Sequence, residues 1–239
     1  MVQSNIMQDR LQELFPVHYR NGNILMINAD CMKVMKHIQN NEVELSCVDP
    51  PYGIKQAGGQ TGGQGKLKKR IFNNGKIDRW DKPPTKKYWE ELFRVSKNQV
   101  VWGGNYFSLP PSRCVIVWDK VQPWENFSQI EIAWTSFDGP AQLYKLDNRT
   151  GGKIHPTQKP VALYKWLLSR YAKPGDRILD THGGSGSICI ACHDLGYDLT
   201  WMELDADYYK AAVARYQNHA AQASLFDQAE LTRSNGWKA

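Results

Sequence analysis

A carboxylate followed by two prolines and a phenol, Asp49-Pro50-Pro51-Tyr52, stands at the carboxyl end of the apolar run Val43 to Val48. That run has the length and β-branched content of a buried strand. In open α/β sheets, ligands gather beyond the carboxyl ends of strands. The two prolines stiffen the backbone and leave the Pro50 carbonyl with no local N–H to satisfy it. The tetrapeptide therefore offers two hydrogen acceptors, the Asp49 carboxylate and the Pro50 carbonyl, beside an aromatic face. A plain strand-exit turn, which Asp-Pro also favours, is the alternative.

A second cluster, Asp180-Thr181-His182-Gly183-Gly184-Ser185-Gly186, follows the apolar stretch Arg177 to Leu179 and opens a helical pattern at Ser187. Glycines let the backbone turn tightly and lie against a ligand, while the helix start offers free N–H groups. Glu203 ends the next strand-like stretch, placed to accept from both hydroxyls of a ribose. Strand, glycine loop, helix, strand and acid in this order read as a nucleotide-like binding unit. Cys189-Ile-Ala-Cys192-His193 lacks a second ligand pair and lies inside an apolar helix, so small side chains for packing are expected there and no metal.

Charge is unevenly placed. The 239 residues carry 30 Lys plus Arg against 24 Asp plus Glu, a net charge of +6. Ten basic and two acidic residues fall between Lys55 and Lys87, a local balance of +8 that leaves −2 for the rest. A basic segment on a nearly neutral body points to a polyanionic partner held at one face, a solvated loop being the alternative. Mean hydropathy is −0.56, and no stretch approaches the roughly 18 apolar residues that cross a bilayer. The chain start has no basic-then-apolar leader, and five scattered cysteines suit reduced thiols. A cytoplasmic protein with no membrane partner is expected.

These residues need a scaffold. Seven strand-like runs recur: Ile24 to Ile27, Val43 to Val48, Gln99 to Trp102, Cys114 to Trp118, Ile130 to Trp134, Arg177 to Leu179 and Leu199 to Met202. Helical patterns at Cys31 to Gln39, Thr85 to Val95, Val161 to Tyr171, Ser187 to Leu195 and Ala206 to Ala221 join several of them. Such alternation predicts an α/β fold, a seven-stranded, mostly parallel sheet with helices on both faces. One domain, 1–239, is expected. Residues 53–87, rich in Gly and Lys, read as a mobile loop, Asp138 to Lys153 as a polar connector, and 224–239 as a flexible tail.

Taken together, Asn28-Ala-Asp30-Cys31, Asp49 to Tyr52, Trp102-Gly-Gly-Asn105, Trp118-Asp-Lys120, His155-Pro-Thr-Gln-Lys-Pro160 and Asp180 to Gly186 resemble the DNA amino-methyltransferases that use S-adenosylmethionine. The likeness is to the permuted adenine-N6 group, the β class, whose catalytic motif precedes its cofactor loop. It runs from Asn23 to about Tyr216 and implies a Rossmann-like class I methyltransferase fold.

The resemblance also implies roles. Asp30 would accept from the cofactor's adenine, with the Cys31 N–H facing the ring. Asp180, Gly183, Gly184, Ser185 and Gly186 would hold the methionine part, and Glu203 the ribose. Lys159 would neutralise the cofactor carboxylate, and Thr157 would cap the helix or bond the same group. His182 departs from the family's usual Phe or Tyr. Asp49 and the Pro50 carbonyl would each accept one hydrogen of an exocyclic amino group, with Pro51 stiffening the turn and Tyr52 stacking on a base turned out of duplex DNA. Asp at the first position favours adenine N6 over cytosine N4.

Relatives carry a sizeable recognition insert where this chain has only Asp138 to Ile154. DNA contact is therefore expected on the 53–87 loop, with Lys66, Lys68, Lys69 and Arg70 on phosphates, and recognition is either relaxed or completed by a second copy, a homodimer. Cytosine-N4 methylation of DNA, adenine methylation of RNA and a non-catalytic subunit that binds cofactor and DNA are the competing readings.

Overall fold

The computed structural model describes residues 5–54, 82–123, 128–147 and 158–235, with side chains as far as Gln222. A single sheet organises them. Its strands are β1 (His18–Asn21), β2 (Ile24–Asn28), β3 (Val43–Val48), β4 (Ser96–Trp102), β5 (Ile116–Asp119), β6 (Ile130–Thr135), β7 (Gln142–Lys145), β8 (Arg177–Asp180) and β9 (Asp198–Glu203). They lie in the order β1-β2-β9-β8-β3-β4-β6-β5-β7. The five central strands from β2 to β4 are parallel, and antiparallel pairs join β1 to β2, β4 to β6 and β5 to β6.

The sheet thus has nine strands where seven were expected. Both additions are at its edges and polar. His18-Tyr-Arg-Asn21 and Gln142-Leu-Tyr-Lys145 carry no apolar run because an edge strand is covered less than a central one. Gly22 and Asn23, with Gly22 at φ +55°, form the tight turn into β2, and β7 takes four residues of the stretch read as a connector.

The central strands are apolar on both sides, and alternate residues feed two cores. Ile24 and Met26 face one, built with Leu163 and Leu167 of α4 (Val161–Tyr171) and Ile188 of α5 (Ser187–Leu195). Leu25 and Ile27 face the other, against Leu11 of α1 (Ile6–Leu14), Val34 of α2 (Cys31–Met35) and Leu92 of α3 (Lys86–Val95). In α3, Tyr88, Leu92 and Val95 recur at helical spacing and are its buried face. Helix α2 stops at Met35, short of the expected Gln39, where Arg94 donates to the carbonyls of Met35 and Ile38. Helix α6 (Ala206–Asn235) runs past Ala221 and through most of the segment read as a tail, in a stretch free of Gly and Pro.

What positions the site is the reversal between β8 and β3. Helix α5 leaves β8 for one face of the sheet and α3 leads from the β3 side to the other, so the loops after these neighbouring strands part and form a crevice.

Candidate functional site

Asp180 ends β8 and Asp49 follows β3, so the crevice brings the two sequence clusters together. The glycine loop shows why its residues are small. Gly183 donates to the Met202 carbonyl (2.8 Å), which lays the loop against β9, and a Cβ on Gly183 would strike the buried indole of Trp201. Gly186 sits at φ +68° as the N-cap of α5, a left-handed conformation that glycine adopts without strain. Glu203 accepts from the Gly184 N–H through one oxygen (2.9 Å) and from the Asp205 N–H through the other (2.8 Å), which fixes its carboxylate at the crevice rim.

Asp180 is 2% exposed. Burial pushes its acid up to about 8, with Asp49 and Glu203 adding to the rise against the His182 N–H. His182 is edge-on to Tyr88 (5.2 Å between ring centroids) and bonds Thr181 Oγ1 through Nδ1, and burial lowers its pKa to about 4. The imidazole thus packs as a neutral ring, as an aromatic would. Tyr88, unmarked in the sequence, bonds Thr181 Oγ1 at 2.7 Å and ties α3 to the loop. Asp30 caps α2, its Oδ1 accepting from the Met32 N–H at 2.9 Å, with Cys31 beside it. Burial and the Asp30 charge push the Cys31 thiol up to about 12.

On the other wall, Asp49 Oδ1 accepts from the Tyr52 hydroxyl (2.7 Å). The Tyr52 ring stacks on Tyr106 (4.9 Å, 19°) and meets Phe107 edge-on. Gly103, at φ +68°, lies so close to that ring that a Cβ would overlap it, and Gly104 lies as close to Trp134. The Trp-Gly-Gly motif therefore seats Tyr52. Trp102 and Trp118 themselves are buried in the core. Tyr106 is 46% exposed and its ring lies over one face of Tyr52, with no periodic pattern in the sequence to mark it.

Lys159, implied to neutralise the cofactor carboxylate, is held by two carboxylates of the chain itself. Its Nζ lies 2.5 Å from Asp49 Oδ2 and 3.1 Å from Glu131 Oε2. Burial alone would lower its pKa, but the two carboxylates outweigh burial and raise it well above the ordinary lysine value. Burial likewise opposes ionisation of Glu131, and Lys159 and Lys120 more than compensate, holding its carboxyl below the usual range. Glu131 was missed because, between Ile130 and Ile132, an acid reads as the solvent face of a strand. Thr157, Lys66, Lys68, Lys69 and Arg70 lie outside the described residues. The stems of the basic loop are described, and Gly53 packs against Pro83. Among the described residues, no helix is long and apolar enough to cross a membrane.

Comparisons bear on this geometry. A family model described as DNA methylase (N6_N4_Mtase) matches residues 113–214. The Escherichia coli (strain K12) protein YubD is 25% identical over 79% of this chain and 88% of its own. Type II methyltransferase M2.LlaDCHI of Lactococcus lactis subsp. cremoris is 23% identical over 85% and 93%. Among solved structures, the M1.HpyAVI-SAM complex superposes with a TM-score of 0.52, 20% identical over 80% of this chain and 99% of that one. PvuII DNA methyltransferase (cytosine-N4-specific) superposes at 0.58, 14% identical over 85% and 92%. The fold is the Rossmann-like fold of S-adenosylmethionine-dependent methyltransferases.

Proposed function

We propose that this chain is an S-adenosylmethionine-dependent DNA methyltransferase of the exocyclic-amino type, and that its target is N6 of an adenine turned out of double-stranded DNA. The observation that carries this reading is the place of Asp49 at the carboxyl end of β3, beside Tyr52 and across the crevice from the glycine loop. An exocyclic amine has its lone pair delocalised into the ring and needs reshaping before it attacks. The Asp49 carboxylate and the Pro50 carbonyl accept its two hydrogens, which turns the lone pair out of the ring plane. Pro51 holds that turn, and Tyr52, backed on one face by Tyr106, gives the base its other face to stack on. Asp49 or water takes the proton.

The cofactor supplies an electrophilic sulfonium methyl when bound, and the residues present suit it. Asp30 and Cys31 face its adenine, Glu203 its ribose, and Thr157, Asp180, His182 and the Gly183–Gly186 turn its methionine part. Buried Asp180 holds its proton to about pH 8 although Lys159 opposes the rise, and the ammonium of a bound cofactor beside it favours the ionised form. Asp180→Asn therefore weakens cofactor binding. It also stabilises the free protein, by a few degrees in Tm at pH 8. The sign follows from linkage: a raised carboxyl pKa makes the folded state hold an extra proton, so wild-type stability falls as pH rises from about 4 to about 8, and the Asn variant lacks that slope. Thermal melts across that range, with and without cofactor, check both effects.

Lys66, Lys68, Lys69 and Arg70 are read as phosphate contacts. Replacing Lys68, Lys69 and Arg70 with Ala weakens DNA binding and lowers the slope of log K against log salt by about 2 to 3, with cofactor affinity unchanged. A fall in cofactor affinity would place the loop elsewhere. The function itself is tested by transfer of tritium from labelled S-adenosylmethionine to duplex DNA. Label in DNA is expected, and none, under conditions where cofactor binds, would favour a non-catalytic subunit.

A further inference from the structure

Behind the Asp49 carboxylate runs a row of four alternating charges. Lys159 Nζ lies 2.5 Å from Asp49 Oδ2 and 3.1 Å from Glu131 Oε2, and Lys120 Nζ lies 2.6 Å from Glu131 Oε1. The register of β5 and β6 builds the far end of the row, with Trp118 opposite Glu131 and Lys120 just beyond. The row is sheltered. Lys159 is 3% exposed and its ammonium lies 5.2 Å from the centroid of the Trp102 ring, and the Lys120 ammonium lies 5.5 Å from that of Trp118. With little water between them, each charge responds chiefly to its neighbours.

We propose that Glu131, braced by Lys120, is a positioning residue that sets how strongly Asp49 accepts a hydrogen from the target amino group. This rests on the reading of Asp49 as that acceptor. An ammonium held wholly by Asp49 competes with the amino group for the same carboxylate and draws electron density from it. Glu131 shares the ammonium and relieves Asp49. Lys120 in turn shares Glu131 and moderates the relief. The two outer residues therefore act on Asp49 with opposite sign: loss of the Glu131 charge tightens the Lys159–Asp49 pair, whereas loss of the Lys120 charge loosens it.

Single-turnover methylation of mixed-sequence duplex DNA by the full chain, at saturating S-adenosylmethionine, reads this directly. Glu131→Gln is expected to slow the step about tenfold, Glu131→Asp to restore most of the rate, and Lys120→Gln to raise it about twofold. Cofactor Kd by calorimetry stays within about twofold throughout, since the row acts on the chemical step. A folded Glu131→Gln variant at wild-type rate overturns the proposal. So does a Lys120→Gln rate at or below wild type, which also decides the matter should Glu131→Gln fail to fold. Asp49→Ala run in parallel separates two failures. Retained turnover there removes the reading of Asp49 itself, whereas an inactive Asp49→Ala beside a full-rate Glu131→Gln removes only the role of Glu131.

Discussion

Asp49→Ala is expected to lower the single-turnover rate of methyl transfer by about 10³-fold or more while S-adenosylmethionine still binds. In the proposed reaction Asp49 is the charged acceptor for a hydrogen of the amino group, and no other described carboxylate stands in its place. Glu131 lies on the far side of Lys159. Asp30, Asp180 and Glu203, proposed above to face the cofactor, belong to other strand ends and keep their own partners. Binding and chemistry therefore separate, as isothermal titration alongside rapid-quench kinetics would show. Folding survives, because Lys159 retains Glu131 and the Tyr52 ring retains its stack on Tyr106.

Lys159→Met has the larger effect on stability, about 3–5 kcal/mol, since it leaves Asp49 and Glu131 facing one another with no cation between them. The pH dependence carries the diagnosis. In the wild type, Glu131 titrates below its ordinary range, so its contribution is complete above the unfolded carboxyl value and is lost as pH falls through the folded one. In the variant, one of the two carboxylates is driven to keep a proton, its folded pKa rises, and stability is lost as pH rises and regained on acidification. The gap between the two proteins in denaturant unfolding therefore narrows from pH 7 towards pH 5. A constant gap over that range would mean that lost packing, and not unpaired charge, accounts for the change.

The parts of the molecule that were legible in the sequence are those where local chemistry and burial agree. Val43 to Val48 is apolar on both faces because helices cover both faces, and its exit is marked by prolines. The Asp180 to Gly186 loop announces itself because Gly183 must lie on the Trp201 indole and Gly186 must take a left-handed turn. Edge strands β1 and β7 escaped notice because a strand covered less than a central one has less need of an apolar run. Glu131 escaped for a different reason. An acid among strand residues looks solvated until a lysine 28 positions later in the chain is brought against it, and only the fold supplies that pairing. Lys159 shows the same limit, since its motif marks the residue but not which carboxylate it meets.

The identity of the modified base shows whether Asp49 presents adenine N6 to the cofactor. Duplex DNA incubated with the protein and S-adenosylmethionine is digested to nucleosides and resolved by mass spectrometry, with Asp49→Ala as the paired control. N6-methyldeoxyadenosine is expected from the wild type and none from the variant. N4-methyldeoxycytidine in its place, or the same methylated nucleoside from both proteins, would contradict that role of Asp49.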